Sequence, residues 1–470
     1  MDETFDLAII GAGPGGYVAA IRGAQLDAKV ALVEREERLG GVCLNRGCIP
    51  TKALLYSAEV LRLVREGEQY GVLGTEDARP DFGRMQQRKA EVVETLTGGV
   101  ETLLRGHGVQ ILTGTATLDD PHTVRVASNG EEETTLRAGK VILATGSEPS
   151  PLPVPGADLP GVLDSWDLLQ LEEIPAAIVV IGAGVIGLEM AVLLRLLGSE
   201  VTVVEMLSRI LPPVEPDLAK RFAVTVRRMG ISLQLGARVT AITQDEDGRL
   251  GVQYEGKKGA QTAWGDKVLV ATGRRPTAGG IDLERLGIAR DGRAIAVDAH
   301  LQTNVPDVYA IGDCTGGALL AHRASYHGEV AVENALGHVR EVDEHAIPYC
   351  VYTWPELAGV GLTLAQAKEA GRPCAQARFP FAANGRALTM GEAGGQIRMV
   401  YDTEDGTVLG MHLLGPHVSE LLAEATLAVQ LGIKAREMAD TCHAHPTLSE
   451  AMMEVAKAAA YGEAIHVRKR

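Results

Sequence analysis

The sequence predicts an α/β fold built on parallel sheets. Three observations predict it: a glycine-rich strand–turn–helix–strand pattern that occurs twice, a carboxylate that ends each copy, and a further repeated strand running into Ala-Thr-Gly. In the first copy Leu7-Ala8-Ile9-Ile10 reads as a buried strand. Gly11-Ala12-Gly13-Pro14-Gly15-Gly16 reads as a tight turn opening an apolar helix, and Val30-Ala31-Leu32-Val33 as a second strand ending in Glu34. The pattern returns 171 residues later, with Gly182, Gly184 and Gly187 in the turn and Val201-Thr202-Val203-Val204 ending in Glu205. Glycines at these places let backbone amides and a helix N-terminus approach a pyrophosphate, and the terminal carboxylate can accept hydrogen bonds from a ribose diol. Each copy is therefore expected to be a Rossmann-like dinucleotide-binding domain.

The further repeated strand, Val141 to Gly146 and Val268 to Gly273, is offset by only 127 residues, so the first unit holds 44 extra residues after its carboxylate. The proline-rich stretch Pro149 to Gly156 is a stiff connector and places the boundary region between the units. The limits expected are 1–147 for the first and 148–274 for the second. Glu205 would repel a 2′-phosphate and Met206-Leu207-Ser208 holds no arginine to receive one, which favours NAD over NADP at the second site; Arg209 lies just beyond.

Composition narrows the function. The formal charge of −16 excludes a net basic field for phosphate backbones or anionic lipid, so neither nucleic acid nor membrane is an expected partner. Six cysteines in 470 residues are too few for a disulfide framework, and the acidic N-terminus carries no basic targeting stretch, so a reducing, cytoplasmic setting is expected. The longest low-polarity run, Ala176 to Leu188, is shorter than the roughly 20 residues of a membrane-spanning helix.

The inserted stretch carries the chemistry. It begins Gly41-Val42-Cys43-Leu44-Asn45-Arg46-Gly47-Cys48-Ile49-Pro50-Thr51-Lys52, so two cysteines follow the first ribose carboxylate closely. Five residues of regular helix rise roughly 7.5 Å, beyond the about 7 Å that a disulfide spans. Bridging them requires a local distortion, which Gly47 permits. The reading is a redox-active pair beside an electron carrier; half of a zinc site or two buried thiols are the alternatives, and no second ligand pair completes a zinc site, so no metal is expected. Lys52, four residues past Cys48, shares its helical face and could set a cation near a thiolate or an electron-rich ring.

Near the other end, Cys442-His443-Ala444-His445-Pro446-Thr447-Leu448-Ser449-Glu450 offers a histidine with a carboxylate. His445 held by Glu450 would serve as the base that thiol chemistry needs. Thr447 and Glu450 also fit a capping box opening the helix that follows, and spacing does not separate the two accounts. His443 reads as a packed or hydrogen-bonded neighbour. Cys314, Cys350, Cys374 and Cys442 read as small apolar residues.

With these residues placed, the chain resembles the flavin-dependent pyridine-nucleotide disulfide oxidoreductase family, in its dihydrolipoamide-oxidising branch. The resemblance runs the whole length. It includes both fingerprints, the Cys43 to Lys52 motif, Thr145-Gly146-Ser147, Gly273-Arg274-Arg275-Pro276, Asp313 with Leu320-Ala321-His322, and the His445 to Glu450 segment. It implies FAD on the first unit, at Gly11, Gly13, Gly16, Glu34, Gly41, Thr145, Gly146 and Ser147. Gly114 to Ala116 would lie toward the adenine, Asp313 at the ribitol and Leu319 to His322 along the cofactor. It implies NAD on the second unit, at Gly182, Gly184, Gly187, Glu205, Val239 and Gly273, with Lys52 by the flavin ring and paired with Glu189. Cys48 would face the flavin, Cys43 would exchange with substrate, and His445, oriented by Glu450, would be the base.

The resemblance further implies a second part of the FAD region at 275–345 and a C-terminal α+β dimerisation domain at 346–470. It implies a homodimer in which His445 of one subunit serves the cysteines of the other, and docking to the lipoyl and subunit-binding domains of an acyltransferase (E2). Glutathione reductase and mercuric reductase are the nearby alternatives. Glu205-Met206 argues against the first, and a C-terminus without a cysteine pair argues against the second. A structural subunit of a multienzyme complex is the alternative of another class.

Overall fold

The computed structural model describes residues 3–128 and 133–467. The chain forms two compact units: Met1–Leu152 with Leu163–Glu173 and Thr272–Val342, and Pro153–Val162 with Ile174–Ala271 and Asp343–Arg470.

The first unit is organised by β1 (Glu3–Ile10), α1 (Pro14–Gln25) and β2 (Val30–Glu34). After them come α2 (Gly41–Arg46), α3 (Cys48–Arg65), α4 (Phe82–Gly106) and β3 (Gln110–Thr113). Strands β4 (Thr115–Asp120), β5 (Thr123–Ala127) and β6 (Thr134–Leu143) complete this run. The sheet order is β3-β2-β1-β6, all parallel. Strand β6 then forks: its first half pairs antiparallel with β5, while Val141–Leu143 pair in parallel with Val308–Ala310.

Both faces of this sheet are covered, which is why its strands read as unbroken apolar runs. Ala8 and Ile10 enter one core with Ile281, Leu283 and Ile295; Leu7 and Ile9 enter the other with Ala19, Val330 and Val332. A helix at Ala321–Ala335 crosses α1 where a Cβ on Gly328 would lie 2.6 Å from the Gly15 carbonyl oxygen.

In the second unit, strands Ser232–Leu235, Glu200–Glu205, Ala177–Ile181 and Lys267–Val270 repeat the parallel order. Here Glu205 leads straight to the helix Pro216–Arg228, the counterpart of α4. The insertion specific to the first unit is therefore α2, α3 and the turn after them. A three-stranded antiparallel sheet, Arg238–Gln244, Leu250–Gly256 and Gly259–Gly265, precedes the closing strand.

The C-terminal part is α+β, as expected. Its five strands run in the order Tyr349–Val351, Glu356–Gly361, Val408–Gly415, Gln396–Asp402, Cys374–Pro380, all antiparallel. Helices Val418–Gln430, Ala435–Asp440 and Glu450–Tyr461 share one apolar core with the sheet. The buried Arg398 and Glu215 tie this sheet to the nucleotide-binding part of the same unit. Arg398 lies 3.1 Å from Glu215 and 2.9 Å from Asp217, and Glu215 in turn accepts from Leu218 N at 2.9 Å, capping the helix Pro216–Arg228. Beside it His412, almost fully buried, bonds Leu362 O through Nε2 at 3.1 Å, with Tyr349 Oη 3.3 Å from Nδ1. Burial pulls this imidazole down to about 4, the Leu362 carbonyl opposing and Arg398 reinforcing.

Two consequences are measurable. A Cβ on Gly187 would lie 2.1 Å from the Gly182 carbonyl oxygen, whereas one on Gly184 meets nothing within 4 Å. Gly187→Ala should therefore destabilise the chain by roughly 2 kcal/mol in denaturant unfolding, and Gly184→Ala far less. The unfolded chain protonates His412 near its ordinary pKa of about 6.5, the folded chain only near 4. Stability should therefore fall on acidification through that window, by on the order of 3 kcal/mol. His412→Gln should remove that part of the slope.

Candidate functional site

In both copies the three fingerprint glycines have three different tasks. Gly11 and Gly182 adopt φ of +102° and +106°, open to glycine, and turn the chain off the strand. Gly16 and Gly187 let the helix close on that turn, since a Cβ on Gly16 would lie 1.7 Å from the Gly11 carbonyl oxygen. The middle glycines face open space: Gly184 has no neighbour within 4 Å, and Gly13 has only the Gly41 Cα at 4.0 Å. That space, at a helix N-terminus, is a cradle of the kind a pyrophosphate fills.

The carboxylates match as well. Glu34 accepts from Ala12 N at 2.7 Å and Glu36 N at 3.1 Å; Glu205 accepts from Ala183 N and Leu207 N, both at 2.7 Å. The next strand is drawn alongside in each, Gly114 N donating to Glu34 O at 2.8 Å and Ala237 N to Glu205 O at 2.9 Å. Ala116 is buried beyond the first and Val239 half-buried beyond the second. Arg209, close in sequence to Glu205, spends its guanidinium on Pro212 O at 2.7 Å and Val214 O at 3.3 Å.

Further along the first unit, Ala144 N donates to Ile10 O at 2.8 Å, and Thr145 Oγ1 to Thr277 O at 2.7 Å, setting Gly146 and Ser147 at the end of β6. Ser147 Oγ donates to Asp313 Oδ2 at 2.5 Å. Arg274 holds Ser147 in turn, donating to its Oγ at 2.9 Å and its carbonyl at 2.5 Å. Burial lowers Arg274, with Asp313 and Asp164 opposing. Leu319 and Leu320 lead into the helix at Ala321, on which His322 is exposed and Arg323 is buried, donating to Gly316 O at 2.7 Å. Sequence reasoning missed Arg274 and Arg323 as members of this group; the signal for the first was its place directly after Gly273.

Cys43 and Cys48 lie on either side of a break at Gly47, which ends α2 and begins α3. The distortion expected from the spacing is thus a change of helix. The two thiols are hydrogen-bonded to each other. That bond, burial and the charge of Cys48 push Cys43 well above the ordinary thiol range, with Lys52, one turn into α3, opposing. The pair sits directly on the first cradle: Gly40 N donates to Ala12 O at 2.8 Å, and a Cβ on Gly41 would lie 2.6 Å from the Gly13 Cα. Asn45, also missed, fastens α2 by donating to Leu39 O and Gly41 O, both at 2.9 Å. Its Oδ1 is buried with no hydrogen-bond partner, an acceptor suited to a donor on a bound group. The glycine cradles, the two carboxylates and this orphaned acceptor fit two dinucleotides.

In the second unit, His445 Nδ1 meets Glu450 Oε1 at 2.9 Å, and Glu450 Oε2 accepts from Thr447 N at 3.0 Å. Burial would raise Glu450, but the Thr447 amide, His445 and the charges of His445 and His466 hold it below the usual carboxylate range. The capping box forms in one arm only, because Thr447 Oγ1 donates to Ala444 O at 2.7 Å and Glu450 itself opens the helix. The His445 ring is 77% exposed, so it can be reached from outside. His443 is half-buried, its Nε2 on Glu424 at 2.9 Å and Nδ1 on Thr441 O at 3.0 Å. Glu189 accepts from Tyr352 N at 2.9 Å within the same unit. Thus Cys43, Cys48, Lys52, Asp313 and Gly273 belong to the first unit, and Glu189, Glu205, Val239, His445 and Glu450 to the second. Among the described residues no group of three or more His, Cys, Asp or Glu could hold a metal ion, and no helix is long and apolar enough to cross a membrane.

Comparison with known proteins agrees along the whole chain. It is 44% identical over 477 residues to a dihydrolipoyl dehydrogenase of Thermus scotoductus, with 100% of each chain covered. It is 43% identical over 458 residues to dihydrolipoyl dehydrogenase 3 of Pseudomonas aeruginosa, covering 97% of this chain and 98% of that one. Among solved structures it resembles the flavoprotein disulfide reductase RclA of Escherichia coli, as its Cu(II) complex, at 30% identity and a TM-score of 0.86, covering 97% and 99% of the two chains. Residues 347–456 match the family's dimerisation domain, which supports a homodimer. With residues 5–328 matching the pyridine nucleotide-disulphide oxidoreductase model as well, the chain belongs to the pyridine nucleotide-disulphide oxidoreductase family.

Proposed function

We propose that this protein is a dihydrolipoamide dehydrogenase: it oxidises dihydrolipoamide through Cys43 and Cys48 with FAD on the first unit and reduces NAD⁺ on the second. The observation that carries this reading is a thiol pair built onto the turn of a dinucleotide cradle. The relatives named above, matched end to end, support the substrate. The buried Glu205, with Arg209 engaged elsewhere, supports NAD over NADP.

In this reading the hydrogen-bonded dithiol is the two-electron reduced form of a Cys43–Cys48 disulfide. One thiol of dihydrolipoamide attacks Cys43 Sγ and gives its proton to Nε2 of His445. A mixed disulfide forms on Cys43, and Cys48 leaves as a thiolate. The second substrate thiol then displaces Cys43: Cys43 leaves with the proton held by His445, the second thiol gives its own proton to the freed Nε2, and oxidised lipoamide departs. In this division of labour Cys43 exchanges with substrate and Cys48 holds the charge. Glu450 fixes the ring through Nδ1, so Nε2 is the atom that accepts the proton. Flavin, when bound, supplies the two-electron acceptor that restores the disulfide and passes hydride to NAD⁺.

The remaining roles follow the same reading. Glu34, Gly114, Ala116, Ser147, Asp313 and Leu319 to His322 hold FAD, with Lys52 and Glu189 by its ring. Val239 and Gly273 line NAD. His445 serves the cysteines of a second copy of this chain, in the cytoplasm, and the lipoyl groups come from an acyltransferase core.

Purified protein should form NADH rapidly from NAD⁺ and dihydrolipoamide, and far more slowly with NADP⁺ or reduced glutathione. A yellow protein inactive with the first pair would remove the lipoamide assignment while leaving the flavin fold. His445→Gln should lower turnover by about 10²- to 10⁴-fold, and Cys43→Ser or Cys48→Ser should abolish it.

A further inference from the structure

The His445 ring is 77% exposed, so the hydrogen bonds of its loop, not packing, give it a direction. Thr447 is the hub of that loop. Its N–H donates to Glu450 Oε2 at 3.0 Å, on the carboxylate whose other oxygen meets His445 Nδ1, and its Oγ1 donates to Ala444 O at 2.7 Å. The remaining polar atom of its backbone, the carbonyl oxygen, is taken by a side chain from another part of the fold. Asn384 Nδ2 donates to it at 3.0 Å, across 63 residues of sequence.

Asn384 is itself held firmly. It is only 3% exposed, and it follows the strand Cys374–Pro380 through the short turn Phe381–Ala383. That turn is pinned at the fully buried Phe381. Phe381 N donates to Gly395 O at 3.2 Å, and its ring lies where a Cβ on Gly415 would approach to 2.3 Å. Asn384 Oδ1 accepts from Ala387 N at 2.9 Å and caps the helix Gly385–Thr389. With its oxygen bound as a cap, the amide has its nitrogen to offer to Thr447, so the cap also decides which end faces the loop. One bond thereby satisfies a buried donor and ties an exposed loop to the core.

We propose that Asn384 is a positioning residue for the base. It fixes the backbone at Thr447, the Thr447 amide places Glu450, and Glu450 directs His445 Nε2 at the substrate thiol. This rests on the reading of His445 as the base. In that reading the half-reaction that moves a thiol proton depends on this chain of bonds, and hydride exchange with the nicotinamide does not.

The test follows the two half-reactions separately in the purified holoenzyme, by anaerobic stopped-flow absorbance of the flavin: reduction by dihydrolipoamide, and reduction by NADH. Asn384→Asp keeps the size of the side chain and its cap acceptor but presents a carboxylate to the Thr447 carbonyl; Asn384→Ser keeps a capping oxygen and has no amide. The expected result in both variants is a loss of roughly 10- to 100-fold in the rate of reduction by dihydrolipoamide. Reduction by NADH should be unchanged, and hydrogen exchange should be faster in residues 441–450. Equal losses with both reductants would mark a general loss of structure, and unchanged rates with both would leave Asn384 as a helix cap; either result overturns the proposal. A His445→Gln variant reduced by dihydrolipoamide as fast as the parent would instead remove the base assignment, and this inference with it.

Discussion

In each nucleotide-binding half the third fingerprint glycine closes on the carbonyl of the first, where a Cβ would lie 1.7 Å or 2.1 Å from the oxygen. Because the helix closes so tightly, the Ala12 and Ala183 amides point back to the end of the second strand. Glu34 and Glu205 accept them there at 2.7 Å. The same closure leaves the middle glycines facing open space and presents a helix N-terminus to it. A larger residue at the third position would push helix, carboxylate and cradle apart together. That one contact explains why two halves so different in their later elements share the same local geometry.

On the first half this cradle is also the foundation for the redox pair. Gly41 rests on Gly13, so α2 begins where the fingerprint turn ends. A continuous helix would separate Cys43 from Cys48; the change of helix at Gly47 brings the thiols together, and Asn45 fastens α2 from within. Chemistry and cofactor cradle are thereby parts of one rigid segment, which is the condition for transfer between them without loss of geometry.

The C-terminal part follows a different logic. Its core is apolar, and buried charges join its elements to one another. Arg398 joins the antiparallel sheet to the capped helix Pro216–Arg228, and Glu189 receives the Tyr352 amide. The helix Glu450–Tyr461 uses its first two turns to hold histidines from both flanking segments. Buried charges cost desolvation unless matched, so each of them specifies one arrangement of its neighbours and excludes others.

The sequence by itself determined the duplicated α/β class, the two ribose carboxylates, the thiol pair and the need for a break at Gly47. All of these are written in local spacing: strand periodicity, glycine positions within a turn, and the rise of a helix over five residues. The alternatives at Thr447 were not separable that way. Whether its hydroxyl caps the helix or turns to Ala444 depends on where the helix starts, which packing decides. Nor could spacing reveal the Arg274–Ser147–Asp313 group, whose members lie 127 and 166 residues apart, or the latch of Glu454 on the terminal segment. Periodicity reports which face of an element is buried and where it ends. Which distant donor satisfies a buried acceptor is set by sheet register and helix docking, and those exist only once the chain has folded.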